Sequence, residues 1–256
     1  MLIGCGKMGS ALLEYWNKGD EKFIIVDPFL ETAPDNTRLV KSREEISSEQ
    51  FDLIIVAIKP QMVEQELPAY STMLSGKGYV LSIAAGTSIV RLSGAMSGAP
   101  IIRVMPNLPA AIGKGTSSLV AGLGVNDKHR SHAVELMERT GTVLEVESED
   151  MLDRATAVAG SGPGYVFEIA RMYVAAAEEL GFSREDARTL VLGTIEGTIA
   201  MAIADDETSL ETLRDNVTSK GGTTAAGLEA LNGDDALSAK MRDTLTAAYD
   251  RARELR

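Results

Sequence analysis

The chain has 256 residues, a formal net charge of −12, 45% hydrophobic residues and 24% charged residues. These proportions are ordinary for a globular protein, and the length suffices for one large or two modest domains. The excess of acidic residues excludes the concentrated positive surface that nucleic-acid binding needs. The single cysteine, Cys5, excludes an internal disulfide and is typical of a reducing compartment, so we expect a cytoplasmic protein. No uncharged apolar run reaches the roughly 18 residues of a membrane span, and we expect no membrane partner.

Strand and helix signals alternate along the first half of the chain. Apolar runs predict strands over residues 1–3, 23–26, 51–58, 79–84, 101–105, 117–120 and 142–146. Helical spacing predicts helices over residues 8–18, 87–96 and 126–140, the last beginning at an Asn-Asp cap. The alternation predicts an α/β Rossmann-type, doubly wound sheet with right-handed crossovers. Because a buried strand usually has 4–8 residues, we expect strand residues to be missing before Met1.

The second half is predicted to be all-helical. Strand signals end near residues 147–151, so we expect two domains, one over residues 1–149 and a helical one over residues 150–256. The motifs and the resemblance described below assign dinucleotide binding to the first domain, and dimerisation and substrate binding to the second. Residues 190–204 are apolar nearly all round, with Glu196 their only charge. Such a helix is normally buried, either as an ordinary central helix or in a dimer core. The spacing of Gly193 and Gly197 suits close helix contact, and we favour the homodimer.

A glycine motif near the start predicts a dinucleotide site. Gly4, Gly6 and Gly9 form G-x-G-x-x-G between a predicted strand and a predicted helix, the context that the motif requires. Asp27 ends the second predicted strand, where a carboxylate would accept hydrogen bonds from the adenosine ribose. Because Asp27 would repel a 2′-phosphate, the residues favour NADH over NADPH; the alternative is a plain turn residue before Pro28. Lys7 lies either near the pyrophosphate or in solvent.

Other predicted strands end at the same edge of the sheet, where ligands bind in such folds. We expect residues 57–60 and 83–86 to contact the nicotinamide half of the cofactor, because small residues let it lie against the backbone. Asn107, in a proline-rich loop after a further strand, either positions a ligand or caps the turn. His129 and His132 lie on a helix predicted to be exposed and polar, without further ligands, and we expect no metal site.

A second glycine turn, at residues 217–228, precedes an apolar helical pattern and joins two glycines to two threonines. Free backbone N–H groups and hydroxyls at a helix N-terminus suit an anion. No Lys, His or Tyr stands out beside this turn as the acid or base that alcohol oxidation needs. The threonines Thr223 and Thr224 cannot act as strong acids at neutral pH. The turn therefore favours chemistry on a substrate that already carries its proton, such as hydride addition to an iminium.

The chain resembles the pyrroline-5-carboxylate reductases along almost its whole length. Five blocks carry the resemblance in the right order: residues 4–9, 57–61, 104–107, 160–165 and 215–228. The resemblance implies NAD(P)H-dependent reduction of 1-pyrroline-5-carboxylate to L-proline, the last step of proline biosynthesis. It also implies a Rossmann domain followed by a helical dimerisation domain, a site at the dimer interface and assembly into larger rings.

The resemblance also assigns roles to residues. Thr224 is implied as the catalytic hydroxyl, which hydrogen-bonds the ring nitrogen. The implied substrate-binding residues are Ser219, Gly222, Thr223, Asn216 and Glu207. The implied cofactor contacts are Gly4, Gly6, Lys7, Met8, Gly9, Ala57, Ile58, Lys59, Pro60, Ala84, Ala85 and Gly86. The chain departs from the family pattern at Lys220, where many relatives have proline, at Gly164, where alanine is common, and at Asp27, which puts the usual NADPH preference in doubt.

Three other functions compete with this one. A β-hydroxyacid dehydrogenase relative shares the glycine motif and a helical second domain but needs a catalytic lysine on a helix of that domain. Lys220 and Lys240 are the only lysines in that half, and Lys220 lies in a glycine turn. A cyclic imine reductase with a different substrate is the second enzyme alternative. A nucleotide-sensing regulator would be expected to have lost the Gly-Gly-Thr-Thr turn, which is intact.

Overall fold

The computed structural model describes residues 1–256 and contains one eight-stranded sheet. The strand order is β3-β2-β1-β4-β5-β6-β7-β8, and every neighbouring pair is parallel except β6 with β7. The strands are β1 Leu2–Ile3, β2 Phe23–Val26, β3 Thr37–Val40, β4 Phe51–Val56, β5 Leu74–Ser82, β6 Ile101–Met105, β7 Gly115–Ala121 and β8 Gly141–Glu145. The predicted Rossmann-type fold is confirmed, with one antiparallel pair added.

Helices and 3₁₀ turns cover both faces of this sheet. The helices are α1 Lys7–Trp16, α2 Val63–Glu66, α3 Ile89–Ala95 and α4 Asp127–Glu138. On one face, Leu12 of α1 and Leu136 of α4 pack with Ile55 of β4. On the other face, Val63 and Leu92 pack with the neighbouring strand residues Ile54 and Val56. Successive residues of β4 therefore point into two different cores, which explains its continuous apolar run.

All seven predicted strands and all three predicted helices of this half are present, with ends shifted by a few residues. The extra strand β3 was not predicted, because Thr37–Val40 mixes polar and apolar residues over only four positions. Asn126 caps α4 as expected, and its side chain accepts a hydrogen bond from the His129 N–H at 3.0 Å.

The second half contains only helices, as predicted. They are α5 Glu149–Ala155, α6 Gly162–Glu179, α7 Arg184–Ala204, α8 Leu210–Asn216, α9 Thr223–Asn232 and α10 Ala236–Leu255. A π-helical turn, Thr156–Gly160, follows α5. By length and composition alone, α7 is apolar enough to cross a membrane.

The chain forms two compact units, Met1–Pro163 with Ala247–Arg256, and Gly164–Thr246. The first unit extends past the predicted boundary at residues 149 and 150, because α5 and the π turn pack against β7. The last residues of α10 also belong to the first unit, where the Tyr249 hydroxyl donates to Asp150 at 2.5 Å. The division into domains at residues 149 and 150 therefore stays a prediction.

Candidate functional site

The glycine turn after β1 has the geometry that each of its glycines requires. Gly4 has φ +81°, and a side chain there would meet Ile58 and the Ala57 carbonyl at about 3 Å. A Cβ on Gly9 would lie 3.2 Å from the Gly4 oxygen and 3.3 Å from the Ala57 Cβ. Gly4 and Gly9 therefore allow a tight turn and close packing of α1 on the strand layer.

Gly6 differs from its two neighbours in the motif. A Cβ there would meet no atom within 4 Å, so the turn leaves open space above Gly6. Gly6 is also the N-cap of α1, and no side chain caps the first N–H groups of this ten-residue helix. The backbone beside Gly6 is therefore open and rich in donors, which fits a pyrophosphate.

Asp27 joins the end of β2 to the glycine turn. Its carboxylate accepts hydrogen bonds from the N–H groups of Cys5 at 2.7 Å, Phe29 at 2.8 Å and Leu30 at 3.0 Å. Burial acts to raise the pKa of Asp27, but these three donors more than offset burial and hold the pKa below its usual range. Asp27 is thus an ionised acceptor that orders its own turn, and its predicted contact with a ribose stays a prediction.

One cavity of about 700 Å³ lies at the carboxyl ends of β1, β2 and β4. It brings together six of the predicted cofactor residues: Gly4, Gly6, Asp27, Ala57, Ile58 and Lys59. Gly9 lies beneath the turn, Lys7 is exposed at the start of α1, and Pro60 begins a 3₁₀ turn. The shape and lining of this cavity fit the adenosine and pyrophosphate half of a dinucleotide.

The same cavity contains residues that the sequence did not suggest: Phe29, Lys41, Ser42, Arg43, Met62, Glu66 and Tyr70. Residues 41–43 directly follow β3. Because β3 was not predicted, these residues were not expected at the edge of the sheet where the cavity lies. A signal was present, because Ser42 and Glu45 form a capping box that begins one residue after the apolar pair ending β3. The Lys41 ammonium donates to the Leu30 carbonyl beside Asp27.

The predicted nicotinamide loop, residues 83–86, leaves the end of β5. Ala84 is buried, Ala85 is exposed, and Gly86 has φ +68°. Asn107, after β6, accepts a hydrogen bond from the Thr116 N–H at 2.9 Å and donates to the Ala159 carbonyl at 3.1 Å. Asn107 thus ties its turn to backbone from two other segments, and its side chain makes no capping hydrogen bond to the 3₁₀ turn that it begins.

The glycine-threonine turn lies in the second unit and leads into α9. Gly221 has φ +71°, and Gly222 is the N-cap of α9 with no side-chain cap. A Cβ on Gly222 would clash with the Ser219 hydroxyl oxygen, so a larger residue there would require the serine side chain to rotate away. Thr223 and Thr224 are exposed in the first turn of this ten-residue helix. Their free N–H groups and hydroxyls can bind a carboxylate, as the sequence predicts.

Glu207 and Asn216 are also exposed in the second unit, Glu207 in the segment after α7 and Asn216 at the end of α8. A cavity of about 300 Å³ between α8 and α9 is lined by other residues, among them Thr218, Ala225 and Glu229. Ser219, Gly222, Thr223 and Thr224 are not among its lining residues, so the predicted substrate groups face the surface of this unit.

The two histidines of α4 lie in a hydrogen-bonded network, and the prediction of an exposed position is wrong for His129. His129 is only 9% exposed, because its ring stacks on Tyr79 with centroids 5.0 Å apart. His132 lies between the Tyr79 hydroxyl at 3.2 Å and Glu21 at 3.3 Å. Arg139 makes two hydrogen bonds to Glu21, at 2.6 and 2.7 Å, and these lower the pKa of Glu21 to about 2.

Comparisons with known proteins match both halves of the chain. Residues 1–86 match the family model described as NADP oxidoreductase, coenzyme F420-dependent. Residues 149–255 match the model described as pyrroline-5-carboxylate reductase dimerisation. A pyrroline-5-carboxylate reductase from Vibrio alginolyticus is 38% identical over 80% of this chain and 76% of its own length.

Two solved structures are also similar. A pyrroline-5-carboxylate reductase from Coxiella burnetii superposes with a TM-score of 0.90 and 29% identity, covering 99% of this chain and 97% of the other. A pyrroline carboxylate reductase from Plasmodium falciparum, solved with NADP bound, gives 0.85 and 28%, covering 99% and 96%.

The fold and the glycine turn define a nicotinamide-dependent oxidoreductase with an N-terminal Rossmann domain and a helical dimerisation domain. The identity and coverage of its relatives place it further: the chain belongs to the pyrroline-5-carboxylate reductase family.

Proposed function

We propose that this protein reduces 1-pyrroline-5-carboxylate to L-proline, the last step of proline biosynthesis, using a reduced nicotinamide cofactor. The observation that carries this assignment is the turn at residues 219–224. In a chain of this family, it presents uncapped N–H groups and two hydroxyls at the start of α9. The N–H groups suit a carboxylate, and a hydroxyl oxygen can accept a hydrogen bond from a ring nitrogen that is already protonated.

The first unit holds the cofactor. Gly6 lets the backbone approach the pyrophosphate, and the uncapped N–H groups of α1 donate to its oxygens. Asp27 and the cavity around it take the adenosine half. Lys7, Met8, Lys59 and the loop at residues 83–86 are proposed to contact the remainder. When bound, the reduced nicotinamide supplies the hydride that the imine carbon of the substrate receives.

The second unit holds the substrate. The N–H groups at the start of α9, with Ser219 and Thr223, bind the carboxylate and set the orientation of the ring. The Thr224 hydroxyl accepts a hydrogen bond from the protonated ring nitrogen, which fixes which face of the imine is presented. Glu207 and Asn216 complete the substrate pocket. Because the ring nitrogen keeps its proton in the product, this site needs orientation rather than a strong acid.

The cofactor preference follows from the charges around the adenosine cavity. Asp27 is ionised there, and Glu44 and Glu66 also line the cavity, so acidic groups offset Lys41, Arg43 and Lys59. Arg43 pairs with Glu44 at 3.2 Å, and Lys41 is hydrogen-bonded to the Leu30 carbonyl. A 2′-phosphate would meet no net positive charge and would lie near the Asp27 carboxylate. We therefore propose that the enzyme prefers NADH, with NADPH as the weaker substrate.

The helical unit forms a homodimer in this proposal, and dimers assemble further into a ring in the cytoplasm. The exposed apolar surface of α7 then packs against a second copy rather than against lipid. A Cβ on Gly193 or Gly197 would meet no atom of this chain within 4 Å, so packing within the chain does not require these glycines. A closely packed helix from a second copy would require them.

The function is tested by following oxidation of NADH and NADPH in the presence of 1-pyrroline-5-carboxylate. The wild-type protein should turn over, with the larger kcat/KM for NADH, and absence of turnover with both cofactors would contradict the proposed function. Thr224→Ala should lower kcat by about 10–100-fold, the loss of one hydrogen bond to a charged group, while NADH binding stays within two-fold. Thr224→Ser should recover most of the activity. Thr244→Ala, a matched change on α10, should leave kcat unchanged.

A further inference from the structure

The loop that joins β5 to α3, residues 83–88, is fixed at both ends. At its start, the Ile83 N–H donates to the Val56 carbonyl at 3.0 Å, which continues the sheet. At its end, the Ile89 N–H donates at 2.9 Å to the carboxylate of Glu149, the first residue of α5. This second contact spans 60 residues of sequence and satisfies a donor in the first turn of α3 that the helix itself cannot satisfy.

Glu149 is itself held by a charged partner. Its Oε1 atom also accepts a hydrogen bond from Arg103, whose side chain comes from the middle of β6. The Arg103 side chain is 6% exposed and that of Glu149 is 20% exposed. A buried ion pair is sensitive to the loss of either member, because the remaining charge is left unpaired. Arg103 of the sheet therefore fixes the position of Glu149, and Glu149 in turn fixes the end of the loop through its hydrogen bond with Ile89.

The last turn of α10 contacts the middle of the same loop. A Cβ on Gly86 would lie 2.8 Å from the Leu255 carbonyl oxygen and 3.0 Å from the Leu255 Cβ. The next residue, Arg256, places its Nε atom 3.2 Å from the Asp153 carboxylate, which is 3% exposed and accepts no hydrogen bond on that oxygen. The end of α10 is thus paired with α5 and lies against Gly86.

We propose that α5 and the last turn of α10 form a clamp on residues 83–88, and that Glu149 is a positioning residue for hydride transfer. The proposal rests on the proposed function, in which residues 84–86 contact the nicotinamide half of the cofactor. The clamp contains four of the contacts described above: Glu149 on Ile89, Arg103 on Glu149, Leu255 against Gly86, and Arg256 on Asp153. It fixes the loop against which the reacting ring lies, and touches neither substrate nor cofactor.

Glu149→Ala tests the clamp, with Glu147→Ala as the matched control, since Glu147 is an exposed neighbour. We expect Glu149→Ala to lower kcat at least ten-fold with NADH, and to raise the primary deuterium isotope effect on kcat by about two-fold or more. The affinity for ADP-ribose, which lacks the nicotinamide, should stay within two-fold. Glu149→Gln keeps an acceptor for the Ile89 N–H but removes the charge that pairs with Arg103, so kcat should recover only in part, to a value between those of Glu149→Ala and the wild type. Glu147→Ala should match the wild type.

Arg256→Ala is a second test, because it removes the contact with Asp153 and leaves the Glu149 acceptor of the loop in place. It should lower kcat several-fold and raise the isotope effect in the same direction. Hydrogen exchange at the Ile89 amide should be at least ten-fold faster in Glu149→Ala. The proposal is overturned if Glu149→Ala and Arg256→Ala keep the wild-type kcat and isotope effect, or if the Ile89 amide stays protected. A wild-type protein without turnover would instead overturn the proposed function, and the exchange measurement would still test the clamp.

Discussion

The two compact units differ in how much of their apolar surface they bury by themselves. The first unit has two large hydrophobic clusters, one on each face of its sheet, with Trp16, Leu12 and Ile55 among the fully buried residues. The only cluster of the second unit contains Ala177, Ala187 and Val191 as its buried members. Large apolar side chains along α6 and α7 are about half exposed or more, such as Phe167, Leu190, Met201 and Ile203.

This difference shows that the two units bury their apolar surface in different ways. The first encloses its core within one chain, so its stability is a property of the single molecule. The second leaves a broad apolar surface, larger than single exposed residues explain, and such surfaces mark interfaces. Its match to a dimerisation domain agrees with that interpretation. Matched substitutions in the two units should therefore have different effects on dimer dissociation and on the free energy of unfolding, and equal effects would contradict this distinction.

The largest effect is expected from a bulky side chain at Gly197 of α7. Gly197→Leu should leave the fold of one chain intact, because beyond the adjacent backbone of α7 itself no atom lies within 4 Å of the new Cβ. Overpacking costs about 1–3 kcal/mol per site, and a two-fold interface would contain the substitution twice. We expect the dissociation constant of the dimer to rise by about 30-fold or more, measured by sedimentation velocity over a range of protein concentrations.

Gly94→Leu is the matched control for this experiment. Gly94 lies in α3 of the first unit, and a Cβ there also meets no atom within 4 Å. Both substitutions raise helix propensity by a similar amount. Gly94→Leu should leave the dissociation constant unchanged, and an equal response of the two variants would contradict the distinction between the units.

A cavity in the first unit should lower stability without involving a second copy. Leu12→Ala removes a fully buried side chain and should lower the free energy of unfolding by about 2–5 kcal/mol. The chain has one tryptophan, the fully buried Trp16, so its fluorescence reports the unfolding of the first unit. The urea midpoint from this signal should fall equally at low and high protein concentration. Leu190→Ala, at a half-exposed site on α7, should not move it.

A smaller effect is expected from the charged network of the first unit. The pKa of Glu21 is lowered from 4.5 to about 2, chiefly by hydrogen bonds from Arg139. A lowered carboxyl pKa stabilises the fold above about pH 4.5, and this contribution is lost as pH falls from there towards 2. Glu21→Gln should therefore lower the free energy of unfolding at pH 7 by at most about 3 kcal/mol, and by much less near pH 2.

Glu168→Gln provides the control from the helical unit. Glu168 pairs with Arg171 at 2.7 Å, but both side chains are more than half exposed. Solvent screens such a pair, so the free energy of unfolding should be unchanged within measurement error at either pH. Urea titrations of both variants at pH 7 and pH 2.5 would check this, and a Glu21 effect independent of pH would contradict the assigned cause.

The sequence was sufficient for most of the fold because apolar runs such as that of β4, alternating with helical patterns, are typical of strands covered on both faces. It was not sufficient for β3, a four-residue edge strand whose pairing with β2 decides its structure more than its own residues do. The surroundings of Asp27 were predicted only in part. Its position after β2 was expected, whereas the three backbone donors depend on how the glycine turn folds back onto it.

The histidines of α4 show the same limit. Their i, i+3 spacing was visible in the sequence, but the burial of His129 comes from Tyr79, which is 50 positions away in the sequence. Arg103, Glu149 and Leu255 likewise come from three separate regions of the chain. Contacts between distant residues therefore account for most of what sequence patterns could not predict.

The central proposal is that the first unit binds the cofactor alone, whereas turnover needs a second copy of the helical unit, since the family resemblance implies a site at the dimer interface. Gly197→Leu, diluted until it is monomeric, tests this claim by NADH binding and by NADH oxidation with 1-pyrroline-5-carboxylate in the same sample. We predict an NADH Kd within about three-fold of the wild-type value and a kcat at least 100-fold lower. A monomer that turns over at the wild-type rate, or one that no longer binds NADH, would contradict the claim.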